Sequence, residues 1–223
     1  RLLECNVGCV NSLHAAKYLQ ELCFHGIQLE LVEECGQAIA QLLELSTALK
    51  RLDLSGNYLS DEVGRAIGVA VQAHTCLVSL DLSFNRLGSQ TGRAFGHVLE
   101  MNKHLVSLDL GGNELDESAG IAIGKGLASN SCLQNLSLSH NDLGDAAGLV
   151  IGHALLSNHS LQVLNLCICE LGNESGCVIA QALQANRSLT HLNLCGNVLG
   201  DEAGSRLAKA LDSSDSLQSI DLG

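Results

Sequence analysis

The chain has 223 residues, 46% of them hydrophobic, which is enough to bury a sizeable core and excludes a disordered segment. Its 24 acidic residues against 12 basic ones give a formal net charge of −12, and aromatic residues make up 2% with no Trp. That balance lacks the basic footprint and stacking platforms of a nucleic-acid binder, and no apolar stretch reaches the roughly 20 residues of a membrane-spanning helix.

Residues 1–48 read as a loose version of the regular pattern in the rest of the chain. Gly36, Ile39 and Leu43 hold the spacing of one helical face. Gly8 precedes Gly36 by the same interval that separates Gly36 from Gly64, so the chain is expected to open inside a preceding helix. Leu19, Leu22 and Phe24 precede Leu49, Leu52 and Leu54 by a slightly longer interval, which predicts two extra residues between Phe24 and Leu31.

From residue 49 the pattern is regular. Leu-x-x-Leu-x-Leu begins at Leu49, Leu77, Leu105, Leu133, Leu161 and Leu189, and every step has the same length. These six units run to residue 216, and a seventh opens at Leu217 and is cut at Gly223. A single domain over 1–223 is expected, with the repeat continuing beyond both ends or another chain covering them.

Each unit predicts a short strand, a turn and a helix. The turns carry Asn57, Asn85, Asn113, Asn141 and Asn197; Cys169 breaks that column, so a local irregularity is expected there. Asn113→Ala should therefore leave turn groups unsatisfied. The helices repeat Ile67, Phe95, Ile123, Ile151, Ile179 and Leu207, with small residues such as Gly68, Gly96 and Gly124 beside them for close helix approach. Asp61, Ser89, Asp145, Asn173 and Asp201 stand where N-caps belong. Asn102, Asn130, Asn158 and Asn186 follow the helices as expected left-handed caps, so Asn130→Ala should cost less than Asn113→Ala. No unit buries its Leu columns alone, but stacked units share one core, with parallel strands inside and helices outside.

The string from Leu49 through Asn57 to Leu59, with its copies, resembles the ribonuclease-inhibitor-like subclass of leucine-rich repeats. The resemblance implies an α/β solenoid, a horseshoe with a concave parallel sheet and convex helices, that binds proteins and is not an enzyme. The same subclass resembles parts of NOD-like receptors, Ran GTPase-activating proteins and axonemal proteins. Alternatives implied are therefore a GTPase-activating regulator or a structural component of a large assembly.

Candidate chemistry is weak. Gly120, Gly124, Lys125 and Gly126 mimic a phosphate loop, but the spacing fails and the glycines are helix columns. His191, Cys195 and Cys167 fall on neighbouring strands, where a metal or redox pair is conceivable. Two solvent-facing thiols are the reading adopted, with Cys167 and Cys195 the most reactive and Cys169 turned to the core. The ten cysteines in a long apolar chain read as free thiols in a reducing compartment, hence a cytoplasmic protein. Asn-x-Ser strings at Asn135, Asn158, Asn173 and Asn186 each occupy a repeat position with its own role. No cofactor or metal is expected.

Outward strand positions form three columns. Arg51 and Asn135 lie in the first with His191; Asp53, Asp81, Asp109, Asn165 and Asn193 lie in the second; Ser55, Ser83, Cys167 and Cys195 lie in the third. Tyr58 and Arg86 occupy a variable turn column. The aspartates could be repeat habit, yet they still set up a negative field. The expected partner is a basic protein rather than nucleic acid, membrane or small molecule.

Overall fold

The structure is a computed structural model that describes residues 18–26 and 33–223, with side chains described for 18–26 and 36–223. Gly8, Cys5, Cys9, Leu31 and the insertion expected between Phe24 and Leu31 lie outside the described residues. Strand and helix alternate throughout: β1 Glu21–Cys23, α1 Glu33–Leu45, β2 Arg51–Asp53, α2 Asp61–Ala73, β3 Ser79–Asp81, α3 Ser89–Met101, β4 Ser107–Asp109 and α4 Glu117–Ser129. The series continues with β5 Asn135–Ser137, α5 Gly144–Ser157, β6 Val163–Asn165, α6 Asn173–Ala185, β7 His191–Asn193, α7 Asp201–Ser213 and β8 Ser219–Asp221.

All eight strands form one parallel sheet in sequence order, as an α/β solenoid requires. Among the described residues each helix meets only the helices before and after it. The register keeps equivalent repeat positions side by side: Asp53 pairs with Asp81 and Asp81 with Asp109. The first strand keeps the same alignment across its longer interval, with Glu21 opposite Arg51 and Cys23 opposite Asp53.

The Leu columns are the core. Leu52, Leu54, Leu80, Leu82, Leu108 and Leu110 are at most 2% exposed, and Phe95 and Ile123 meet them from the helical side. Removing such a side chain from water contributes about 1.5–3 kcal/mol. The helices approach closely through glycine. A Cβ on Gly92 would lie 2.1 Å from Ala119 Cβ, and one on Gly126 would lie 2.2 Å from the Gly96 carbonyl oxygen.

Helix capping differs from expectation at both ends. Asp61, Ser89, Asn173 and Asp201 are the first residues of their helices, and Asp145 is the second of α5; the caps are Ser60, Gly88, Asp116, Leu143, Gly172 and Gly200. The carboxylate of Asp61 instead serves the next unit, accepting the amides of Gly88 (2.8 Å), Gln90 (3.0 Å) and Thr91 (2.8 Å). Asp145 does the same for Gly172 and Ser175, and Asn173 for Ala203. These helix starts thus receive an acceptor from the preceding unit, where orphan N–H groups and the helix dipole favour one. Burial pushes the Asp61 carboxyl up, but these amides and the Thr91 hydroxyl outweigh it and hold it below the usual range.

The expected left-handed caps are also corrected. Asn102, Asn130, Asn158 and Asn186 are extended, with φ between −83° and −70° and ψ between 125° and 138°. They build a second ladder. Asn158 Oδ1 accepts from the amides of Ser160 and Leu161, and its Nδ2 donates to the carbonyls of Leu127 and Asn130 in the preceding unit. His74 holds the same position after α2, where its Nδ1 accepts from the amides of Cys76 (3.2 Å) and Leu77 (2.9 Å).

The irregularity expected at Cys169 is present. Asn85, Asn113 and Asn197 each accept two amides of the preceding turn. Cys169 has only a thiol, which donates to the Leu138 carbonyl at 3.2 Å. The Asn141 amide turns to the Ile168 carbonyl and the Gly144 amide to the Cys169 carbonyl. Helix α5 then begins at Gly144 and runs 14 residues where its neighbours run 13.

Candidate protein-binding face

The strands end in a turn that explains the second column. Asp53 Oδ1 accepts from the Ser55 amide and hydroxyl at 3.0 and 2.6 Å, and Asp81 Oδ1 from those of Ser83 at 2.9 and 2.7 Å. Asp109 accepts the Gly111 amide at 2.8 Å. Asn165 and Asn193 present the same oxygen to the amides of Cys167 and Cys195. Asp and Asn interchange here because the site asks for one side-chain acceptor two residues before an amide. The aspartates are scaffold and charge at once, since each carboxylate spends one oxygen on its turn.

The three carboxylates differ. Burial raises the Asp53 carboxyl, but the Ser55 hydroxyl and amide, the Cys23 thiol and the charge of His25 bring it below the usual range. Asp109 has only glycine at the turn. Burial raises it and the charge of Asp81 raises it further, beyond what the Gly111 amide and Ser137 hydroxyl recover.

The remaining candidates divide into three groups. Arg51 is ion-paired with Glu21 and shares a shallow depression with Asp53 and Asp81. Tyr58 and Arg86 stand beyond the strand ends, with the guanidinium 5.0 Å above the ring. Asn135, Asn165, His191 and Asn193 lie farther along on β5–β7, apart from the aspartates; His191 is exposed, with Nδ1 2.8 Å from the Thr190 hydroxyl. The third column is mostly closed: Ser55, Ser83 and Cys167 are buried, while Cys195 is partly exposed. The expectation that Cys167 is open to solvent is therefore corrected: it is buried, with its thiol against Cys195 of the next unit. Its hydrogen bond with Cys195, and then burial, push its thiol up to about 11. The described cysteines carry free thiols, and among the described residues no cluster of three or more His, Cys, Asp or Glu could hold a metal.

The sequence patterning does not mark two exposed side chains on this rim. Phe84 (65% exposed) and Ile168 (45%) follow their strands with positive φ, at 54° and 52°. The signal was a column of Gly56, Gly112 and Gly196 that these residues interrupt.

Stacked strand–turn–helix units with their turn asparagines define a repeat solenoid. Residues 73–96, 102–124, 129–152 and 185–208 match a family model described as Leucine Rich repeat, and residues 48–69 match a second, described as Leucine Rich Repeat. The matched segments span just over half of the chain, which belongs to the leucine-rich-repeat proteins. No curated protein matches the sequence. Among solved structures, the tropomodulin C-terminal domain of Caenorhabditis elegans is similar at 17% identity and a TM-score of 0.53, covering 67% of this chain and 91% of that one. The leiomodin-1 actin-binding site 2 is similar at 16% identity and a TM-score of 0.47, covering 92% of this chain and 87% of that one. At these identities the likeness is one of fold. No helix among the described residues is long and apolar enough to cross a membrane.

Proposed function

We propose that this chain is a non-catalytic protein-interaction scaffold, or the ligand-sensing segment of a larger cytoplasmic protein, and that its concave face takes a basic protein segment. The observation that carries this reading is the register of Asp53, Asp81 and Asp109 on three adjacent strands. Strands lie about 4.8 Å apart, so three carboxylates share one short stripe in a chain of net charge −12. The charge of Asp81 already raises Asp109, and a cationic group seated between them relieves that repulsion. Such a stripe steers a basic partner to the face and makes association salt-dependent.

The test is Asp53→Asn, Asp81→Asn and Asp109→Asn together, with cross-linked capture of partners by both forms. Asparagine keeps the turn acceptor, as Asn165 and Asn193 do in this chain. Captured proteins should bind the triple variant more weakly and with a smaller salt dependence. Their affinity for the unsubstituted chain should also fall on acidification, starting above the ordinary carboxylate range because Asp109 is raised and must be ionised to attract a cation. Unchanged affinity and salt slope would move the interface to the helical face, where Arg65, Arg93 and Lys125 are the exposed cations to examine.

A further inference from the structure

The same turn position is left-handed in each described unit: Gly26, Gly56, Phe84, Gly112, His140, Ile168 and Gly196 all have φ between 52° and 68°, and Tyr58 and Glu170 add a second such residue to their turns. The conformation is imposed by the stack. The amide of Phe84 donates to the Gly111 carbonyl of the next turn at 2.8 Å, and that of Ile168 to the Cys195 carbonyl at 2.8 Å. Glycine meets this demand without steric cost, and four of the seven positions use it. A β-branched residue such as Ile168 is a genuine outlier there, and strain of this kind is tolerated where the side chain has work to do.

The side chains do little for the core. Phe84 leans over Gly112 and Ile168 over Gly196, so closely that a Cβ on either glycine would lie 2.6 Å from them. Even so, Phe84 remains 65% exposed and Ile168 45% exposed. Each glycine thus provides a backbone shelf that holds a bulky apolar side chain open at the strand ends. Between Phe84 and Ile168 lie the exposed turn residues Glu114 and Asp142, with exposed His140 beside them, and Glu170 follows in the turn of Ile168 itself.

We propose that Phe84 and Ile168 are paired anchor sites for one extended, basic segment of a partner protein that runs across the strand ends. Three strand spacings of about 4.8 Å separate the anchors, close to the reach of four residues of extended chain at about 3.3 Å each. Residues i and i+4 of such a chain point to the same side. The segment therefore carries bulky apolar residues at i and i+4, with Lys or Arg at i+2, the intervening position on the same side, facing Glu114 and Asp142. Charge complementarity selects this occupant over an acidic or uniformly apolar one. The proposal rests on the concave-face reading, and it adds the anchors, the direction of the segment and its spacing.

The experiment is selection of random twelve-residue peptides displayed on phage against the folded chain. Enriched peptides are resynthesised and titrated against the unsubstituted chain, F84G/I168G and D81N/D109N. The expected winners carry the i, i+4 apolar pair with Lys or Arg between. They bind F84G/I168G about tenfold more weakly or worse, as loss of an anchor residue implies. That variant should melt no lower than the unsubstituted chain, because glycine relieves the left-handed backbone at both sites. Failure to enrich this pattern, or winners that bind F84G/I168G unchanged, overturns the anchor proposal. Winners weakened only by D81N/D109N leave the concave-face reading standing, whereas winners indifferent to both variants overturn that reading as well.

Discussion

The two edges of the solenoid solve one problem with different degrees of tolerance. At the strand-side turns and again after the helices, an amide side chain joins consecutive units through backbone groups, and a substitute in each ladder shows what it tolerates. Cys169 replaces asparagine at the turns, and the backbone shifts: amides that would have found a side-chain oxygen go to carbonyls, and α5 lengthens. His74 replaces asparagine at the helix ends, and the backbone stays in place because Nδ1 accepts the same two amides. What the ladder requires is an acceptor. A thiol can supply the donor but is a poor acceptor, while a neutral imidazole supplies the acceptor.

The largest expected effect comes from removing a rung outright. Asn113 Nδ2 donates to the carbonyls of Leu82, Leu110 and Gly111, and its Oδ1 accepts two amides, both at 3.2 Å. Asn130 is 4% exposed, and its Oδ1 accepts the amides of Cys132 and Leu133 at 2.9 and 2.7 Å. Asn113→Ala and Asn130→Ala should each destabilise by about 1–3 kcal/mol, since each leaves backbone groups without partners. Asn130→Ala should cost at least as much as Asn113→Ala, which reverses the order expected when Asn130 is read as a simple end cap. Urea melts of both variants decide the order, and an Asn130→Ala variant as stable as the unsubstituted chain would dissolve the second ladder. The opposite change, Cys169→Asn, restores an acceptor to the first ladder and should stabilise by about 1 kcal/mol. A lower midpoint would show that the shifted turn is locked in place by its surroundings.

The Leu and Asn columns were legible because a buried position that recurs at one fixed interval leaves the same letter each time. The capping roles were not legible, because Asp61 acts on a helix that begins a whole repeat later. A single unit of sequence shows that carboxylate beside its own helix, where a local cap is the natural inference. Similarly, Ser83 and Cys167 hold alternating positions that read as exposed, yet neighbouring side chains on the same face cover them, as the Ser83 hydroxyl bonded to Asp81 shows. Phe84 and Ile168 needed the backbone angle, since only φ shows that a glycine column has been given to bulky side chains.

Acidification should separate the ladders with a smaller effect. Burial lowers the His74 imidazole below its ordinary 6.5, and the charge of His104 adds to that, while the Ser46 carbonyl pulls partly the other way. Protonation at Nδ1 would also break two amide hydrogen bonds. Because the folded-state value is depressed, His74 contributes stability that is complete above 6.5 and is lost as pH falls through the lower folded value. Asparagine does not titrate in this range, so His74→Asn should flatten that part of the pH profile while keeping the acceptor. A profile unchanged by His74→Asn would place the titration elsewhere.

Thiol labelling gives the smallest perturbation and tests the turn ladder directly. The reactive species is the thiolate, so labelling follows exposure and the ease of losing the proton. Cys23 is exposed and Cys195 is partly exposed. Cys167 is buried, with its thiol pushed up to about 11. Burial first, and then the charges of Cys167 and Asp142, push Cys169 up to about 12 despite the Asn141 amide. Mass mapping under mildly alkaline, native conditions should therefore modify Cys23 before Cys195, and both before Cys167 and Cys169. Cys169 is the informative site, because its proton is engaged with the Leu138 carbonyl inside the ladder. Should Cys169 label as fast as Cys195 in the folded chain, the turn between β6 and α6 must open as a unit. The shifted hydrogen bonds around Asn141 and Gly144 would then mark a weak joint in the solenoid. Protection of Cys169 that persists until global unfolding would show that the rearranged backbone bonds hold the joint as firmly as asparagine holds its neighbours.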